Sequence, residues 1–287
     1  MDFWASNART REHLRQPAPE LEAEGARLRE ELAAIEAGGD EAACRLCGKP
    51  GALTVEHAPS RAAGNEGALV GGRIDDEATM SSGEVRWATD ISEGATFRTL
   101  CECNSKTGQM YNPSYVTFVQ ACRPLAIPSN AGRLCQLRVA RRPLVAKQAL
   151  TSLVATSQPG LTTRYPVLRE LLLNRSARGP IYPLRLWCYQ MANRAGMYTG
   201  VTASINVLRM KGRLIAGFAF WPAGWILTLE AGEVVPGALD VSGWLELDRD
   251  REPVTVEVPC QWANLYPGDF RSPDDVIREA AADERPR

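Results

Sequence analysis

Apolar and polar positions alternate with three different rhythms along the chain. Between Pro19 and Ala37, Leu21, Leu28, Leu32 and Ile35 recur at helical spacing among Glu and Arg, and Gly38, Gly39 and Asp40 end the run. This spacing predicts an amphipathic helix. It would pack on its own domain or serve as a short partner or dimer helix, two heptads being too few for a coiled coil. Residues 41–112 are rich in glycine and short in long periodic segments, and within them residues 52–57 and 96–100 read as strands. Asn112-Pro113 then reads as an N-cap with proline at the first helical position, leading into Tyr115, Val116, Phe118 and Val119. Pro143 and Pro166 open two further helices, one with Leu150, Leu153 and Val154 on a face and the other with Leu168, Leu171 and Leu172.

From Leu184 onward the rhythm becomes that of strands. Residues 205–210 and 214–220 flank Lys211-Gly212-Arg213, a hairpin pattern. Residues 225–230, 243–247 and 254–258 would continue an antiparallel meander, and Ser272-Pro273-Asp274-Asp275 would start a last helix with acids in its first turn. The most apolar run, residues 214–229, is broken by Pro222, Ala223 and Gly224, so two strands and a turn are expected there and no membrane span.

Composition first looks bland. The chain has 287 residues, 45% of them hydrophobic, and a net charge of −1. These values exclude a disordered chain, a collagen-like repeat and a disulfide-dense miniprotein. The charge is not evenly spread, however. Residues 1–104 sum to −8, residues 105–213 to +15 with Glu170 as their one acid, and residues 214–287 to −8. A block so poor in carboxylates cannot neutralise itself, so its cations must meet the acidic flanks, water or a polyanion. Arginine forks suit phosphate oxygens, and Arg61, Lys106, Arg141, Arg142 and Lys147 are the candidate nucleic-acid contacts. Residues 1–14 show no apolar core or cleavage site of a secretory signal, so a cytoplasmic location is expected. Eight cysteines in that setting point to metal ligands or free thiols.

Cys44-Arg-Leu-Cys47-Gly48 and Cys101-Glu-Cys103-Asn104 form two cysteine knuckles. Two thiolates on each tight turn can complete one tetrahedral zinc site, and such a site can contribute roughly 10–16 kcal/mol of apparent folding free energy to a segment with little core. Cys122, Cys135, Cys188 and Cys260 sit among apolar neighbours and read as core thiols. Between the knuckles, Glu56-His57-Ala58-Pro59 closes the first expected strand. Only His13 and His57 are present, and His57 alone follows a carboxylate at a strand end. A carboxylate can hold a hard cation while a neighbouring imidazole deprotonates water.

These residues, with Pro59, Asn104, Lys106 and Gly108, resemble the HNH (ββα-metal, or His-Me finger) endonucleases, closest to the endonuclease VII type of layout. The resemblance covers about residues 44–112. It implies that His57 is the general base, that Glu56 and Asn104 hold a catalytic Mg²⁺ or Mn²⁺, and that Cys44, Cys47, Cys101 and Cys103 hold a structural Zn²⁺. It also implies hydrolysis of DNA phosphodiesters, with RNA as a further substrate class, in the setting of bacterial defence against foreign DNA. The sequence departs from the pattern in having Glu for the commoner Asp, a Cys-x-Cys second knuckle, 43 residues between His57 and Cys101, and no histidine after Asn104; Asn112 or Asp90 could supply a missing ligand. Two rival readings are a non-catalytic zinc module that binds nucleic acid or protein, and a sensor that gates the nuclease through the C-terminal sheet.

The expected architecture is α+β. A charged helix occupies residues 1–40, a zinc-stapled ββα-metal module residues 41–123, and a C-terminal α+β domain residues 124–287, basic in its helical first half and a β-meander in its second.

Overall fold

The computed structural model describes residues 19–65, 69–72, 87–91, 96–192, 196–206, 211–232, 234–248 and 252–262. The last expected helix, after Ser272, and His13 lie outside these residues. The chain forms a mixed α+β structure whose largest element is a mainly antiparallel seven-stranded sheet.

Helix α1 (Pro19–Ala37) buries Leu28 and Ile35 completely and packs Leu32 against the same core. It ends at Gly38, as its glycines predict. The approach there is backbone to backbone, because a Cβ on Gly160 would run into the Ile35 carbonyl oxygen. Arg164 Nη2 meets Glu31 at 2.9 Å and Arg27 Nη1 meets Glu230 at 2.7 Å, so the acidic helix is tied into the chain on two sides.

Strand β1 (Thr54–His57) is followed by the hairpin of β2 (Leu69–Gly72) and β3 (Trp87–Ile91), and then by β4 (Thr96–Leu100). β1 pairs antiparallel with β4, and the chain runs directly from β4 into α2 (Cys103–Cys122). Asn112-Pro113 is therefore no helix start, since α2 passes straight through Pro113. Proline removes the donor that the Gln109 carbonyl would use, but both residues are exposed, so water can serve that carbonyl. What holds the helix together is burial of Cys103, Thr107, Tyr111, Ser114, Tyr115, Phe118 and Cys122 at helical spacing.

Strand β5 (Leu134–Val139) leads into α3 (Arg142–Thr156), which is buried at every position from Pro143 to Thr156. A helix so enclosed needs small side chains on most of its surface, which explains its Ala, Ser and Thr content. The turn α4 (Leu161–Arg164) and α5 (Pro166–Leu173) follow, and α5 buries Leu168, Leu171 and Leu172 as its spacing predicts.

The large sheet runs β5-β11-β6-β9-β8-β7, with β10 (Leu239–Asp240) also on β6. Its remaining strands are β6 (Arg185–Met191), β7 (Gly196–Asn206), β8 (Lys211–Phe220), β9 (Ala223–Thr228) and β11 (Val254–Gln261). The apolar run is two strands and a turn, β8 and β9, as expected. Three details differ. Lys211, Gly212 and Arg213 belong to β8 and pair with Asn206, Ile205 and Ser204, so the hairpin connection lies before them. Residues Ser242–Glu246 form a 3-10 turn rather than a strand, because Asp240 Oδ1 accepts the Ser242 amide at 2.9 Å and turns the chain. β11 leaves the meander to pair antiparallel with β5 and parallel with β6.

One apolar cluster joins Leu28 of α1, Leu46 beside the first knuckle, Leu100 of β4, Phe118 of α2, Leu150 of α3 and Trp225 of β9. Lys147 lies inside this assembly and is not a nucleic-acid contact. Its fully buried ammonium donates to the carbonyls of Asn174 at 2.7 Å, Arg175 at 3.3 Å and Ala177 at 2.8 Å. Burial and the nearby Arg178 pull its pKa down to about 7, while three carbonyls match the three donors of its charged form. Replacing Lys147 with Met should cost about 2 kcal/mol in denaturant unfolding, since the carbonyls of Asn174, Arg175 and Ala177 each lose a charged donor, and should leave any nucleic-acid affinity unchanged.

Candidate metal centre and the adjoining histidine face

The first knuckle is a tight turn closed by the Gly48 amide on the Cys44 carbonyl at 2.7 Å and by the Cys44 amide on the Lys49 carbonyl at 3.0 Å. Gly48 has φ +73°, a left-handed conformation that favours glycine. The second knuckle is the junction of β4 and α2. Cys101 directly follows the strand, Cys103 starts the helix, and the Asn104 amide donates to the Cys101 carbonyl at 3.0 Å. One intervening residue suffices because the backbone turns into the helix between the two thiols. The Arg45 amide donates to the Thr99 carbonyl at 2.9 Å and holds the knuckles side by side.

The four sulfurs of Cys44, Cys47, Cys101 and Cys103 lie within 4.8 Å of one another. Cys47 Sγ is 3.7 Å from Cys101 Sγ, which is 3.6 Å from Cys103 Sγ. A tetrahedral zinc with bonds of about 2.3 Å sets sulfurs about 3.8 Å apart, so the cluster could hold zinc. Without metal the thiols share hydrogen bonds. The Cys103 thiol donates to Cys44 and holds it below the usual thiol range, while the same contact pushes Cys103 up. Cys122, Cys135, Cys188 and Cys260 are buried free thiols elsewhere in the core.

Beside the cluster, β1 and β4 separate the neighbours Glu56 and His57. The register pairs Glu56 with Phe97 and His57 with Thr96. Side-chain alternation then sets Glu56, Phe97 and Thr99 on one face and His57, Thr96 and Arg98 on the other. The first face is internal. Glu56 is 6% exposed, and Phe97 packs edge-on against Tyr198 with ring centroids 4.8 Å apart. Thr99 Oγ1 stands 2.9 Å from Glu56 Oε1 and 2.9 Å from the Ala155 carbonyl oxygen. A hydroxyl has one proton to give and a carbonyl can only accept. Thr99 Oγ1 faces both acceptors and shares its one proton between them. Burial pushes Glu56 up to about 8, against the hydrogen bond from Thr99 that lowers it.

On the outer face, Arg61 Nε donates to His57 Nε2 at 2.8 Å. Asn104 lies at the start of β1, where its Nδ2 donates to Thr54 Oγ1 at 3.2 Å and to the Val55 carbonyl at 3.4 Å. Ser60 Oγ donates to Asn112 Oδ1 at 2.7 Å, which bends the chain after β1 onto α2. Lys106 is exposed and pairs with Glu102 at 3.5 Å. Arg141 and Arg142 precede and open α3, while the Ala155 carbonyl is at that helix's other end. At 1.5 Å per residue they stand roughly 20 Å from Glu56 and Thr99.

The carboxylate and amide that would hold magnesium do not converge. Magnesium takes an octahedral shell of hard oxygens and keeps much of its water, whereas Glu56 is internal, its carboxyl pushed up by burial, and on the opposite face of β1 from His57. The present donor set does not fit that ion, and Glu56 is an internal acid rather than its ligand. Asn112 Oδ1 is committed to Ser60, and Asp90 lies in β3.

No protein-family model, no curated protein and no solved structure matches the chain. The site is thus described by its own geometry. Among the described residues no helix is long and apolar enough to cross a membrane. Sequence reasoning overlooked Arg98 and Thr99. The alternation of residues 96–100 against His57 was the signal that could have placed Arg98 outside and Thr99 inside.

The purified chain should carry one zinc per molecule by metal analysis, and Cys101→Ser should lose it together with much of the thermal stability. A second expectation concerns Glu56, whose folded pKa is raised above its unfolded value. Its contribution is fully present below pH 4.5 and declines as pH rises toward 8. Between pH 6 and pH 8 the wild type should lose about 2 kcal/mol relative to Glu56→Gln in urea unfolding. Parallel stability curves for the two proteins would contradict a neutral internal Glu56.

Proposed function

We propose that the chain is a nucleic-acid phosphodiester hydrolase laid out like the HNH endonucleases and acting on DNA, although Glu56 is not placed to hold the catalytic metal of that layout. The observation that carries this reading is the order β1–β4–α2. An antiparallel strand pair runs into a helix, a four-cysteine cluster staples the junction, His57 closes the first strand on the outer face, and Asn104 directly follows the last cysteine. In this arrangement His57 Nε2 takes a proton from the attacking water, whose oxygen bonds to phosphorus as a phosphorus–oxygen ester bond breaks. Arg61 and Arg98, on or beside the same face, offer guanidinium donors to the phosphate oxygens.

A second reading is supported by the inward turn of Glu56 and by Arg61 resting on His57 Nε2. It is a zinc-stapled module that binds nucleic acid without cutting it. The two readings separate in one assay. Wild-type protein with Mg²⁺ or Mn²⁺ should nick single-stranded or duplex DNA, and His57→Ala should lower the rate by about 10²–10⁴-fold with zinc content and circular dichroism unchanged. Salt-sensitive binding without cleavage under either metal would favour the second reading.

A further inference from the structure

We infer that Arg61 is a latch on His57 that a phosphodiester oxygen releases, an inference that rests on the nucleic-acid reading above. The nitrogen that would accept a proton from water, His57 Nε2, is engaged at 2.8 Å by Arg61 Nε. While that contact persists, no water proton can reach Nε2. Opening it requires the guanidinium to move while the surrounding chain stays. The Arg61 side chain is exposed, whereas its backbone is braced. The Gly64 amide donates to the Arg61 carbonyl at 3.0 Å and the Ala63 amide to the Ser60 carbonyl at 2.9 Å. Buried Asn65 donates to the Pro59 carbonyl at 2.8 Å, and Ser60 is tied to Asn112 on α2 at 2.7 Å.

The competing partner is an anion. A guanidinium makes a charge-assisted, often two-pronged contact to a phosphate oxygen pair, about twice as strong as a hydrogen bond to a neutral acceptor. Arg98 lies on the same face two residues from the partner of His57, so an arriving phosphate meets a second cation there. The phosphate thus draws Arg61 off the imidazole and, in the same motion, frees Nε2 next to the bound ester. The resting protein keeps its base covered, and the substrate's own charge uncovers it. Arg61 is a positioning residue in this scheme until it turns to the phosphate.

The chain has two histidines, so a His13→Ala background leaves a single imidazole for nitrogen-15 spectroscopy. The zinc-loaded full chain, without magnesium or manganese, is titrated with a single-stranded oligonucleotide while binding is followed by fluorescence anisotropy. As the oligonucleotide binds, the Nε2 resonance should move by several parts per million, and in Arg61→Gln it should start displaced and stay there. In turnover assays Arg61→Gln should raise KM about tenfold with kcat changed less than threefold, and Arg61→Lys should restore most of the KM. Binding with an unmoved Nε2 resonance, or a collapse of kcat at constant KM, overturns the latch and leaves the nuclease reading standing. Absence of any binding overturns the nucleic-acid reading and the latch with it.

Discussion

The C-terminal end of α3 presents carbonyls that no donor of its own helix can reach, and the helix is buried all round, so water cannot serve them either. Those of Leu153, Val154 and Ala155 find donors elsewhere in the chain. Thr156 and Ser157 hydroxyls donate to the Leu153 carbonyl at 3.1 and 2.6 Å, and the Ser157 amide donates to Val154 at 3.3 Å. The Ala155 carbonyl takes two donors from the cysteine module, Arg45 Nη1 at 3.0 Å and Thr99 Oγ1 at 2.9 Å. The module is thus docked by completing a buried helix end. Thr99 Oγ1 also donates to Glu56 Oε1 at 2.9 Å, so the buried carboxyl is tied to the same helix end. Burial at this docking point pushes up the pKa of a carboxyl beside His57.

The segregated charge of the chain has a related explanation. Several cations of the +15 block serve backbone carbonyls of the chain itself. Lys147 and Arg178 hold the carbonyls after α5, Arg169 Nε donates to Leu46 at 3.2 Å beside the first knuckle, and Arg213 Nη1 donates to Val234 at 3.1 Å. Long cationic side chains can reach such carbonyls from a distance, and a carboxylate among them would compete for the same donors. Other cations meet the acidic flanks, as Arg164 does at Glu31 and Arg185 at Asp240. Net charge by block therefore overstates what is available to a polyanion. The informative cations are those that the strand register leaves outside with His57.

Much of the local structure was legible in the chain. The cysteine spacing, the end of α1 at its glycines, the short strands β1 and β4, the leucine face of α5 and the β8–β9 pair all depend on neighbours within a few residues. The misreadings share a different origin. Pro113 looked like a helix start, yet burial on both sides of it carries α2 through. Residues 243–247 looked like a strand until the Asp240 carboxylate turned the chain. β11 chose partners from β5 and β6, more than a hundred residues away in the first case.

By itself the sequence determined which residues have the chemistry: four thiols at knuckle spacing, one histidine at a strand end, and an asparagine after the last cysteine. Tertiary structure decided which of them share a surface. It set Glu56 inside and His57 outside although they are adjacent, because strand alternation sends neighbours to opposite faces and only one face of β1 meets the core. It also sent Lys147 inward, where its ammonium meets three carbonyls beyond α5. Such outcomes depend on what each backbone group finds across the fold, and the order of residues does not carry that information.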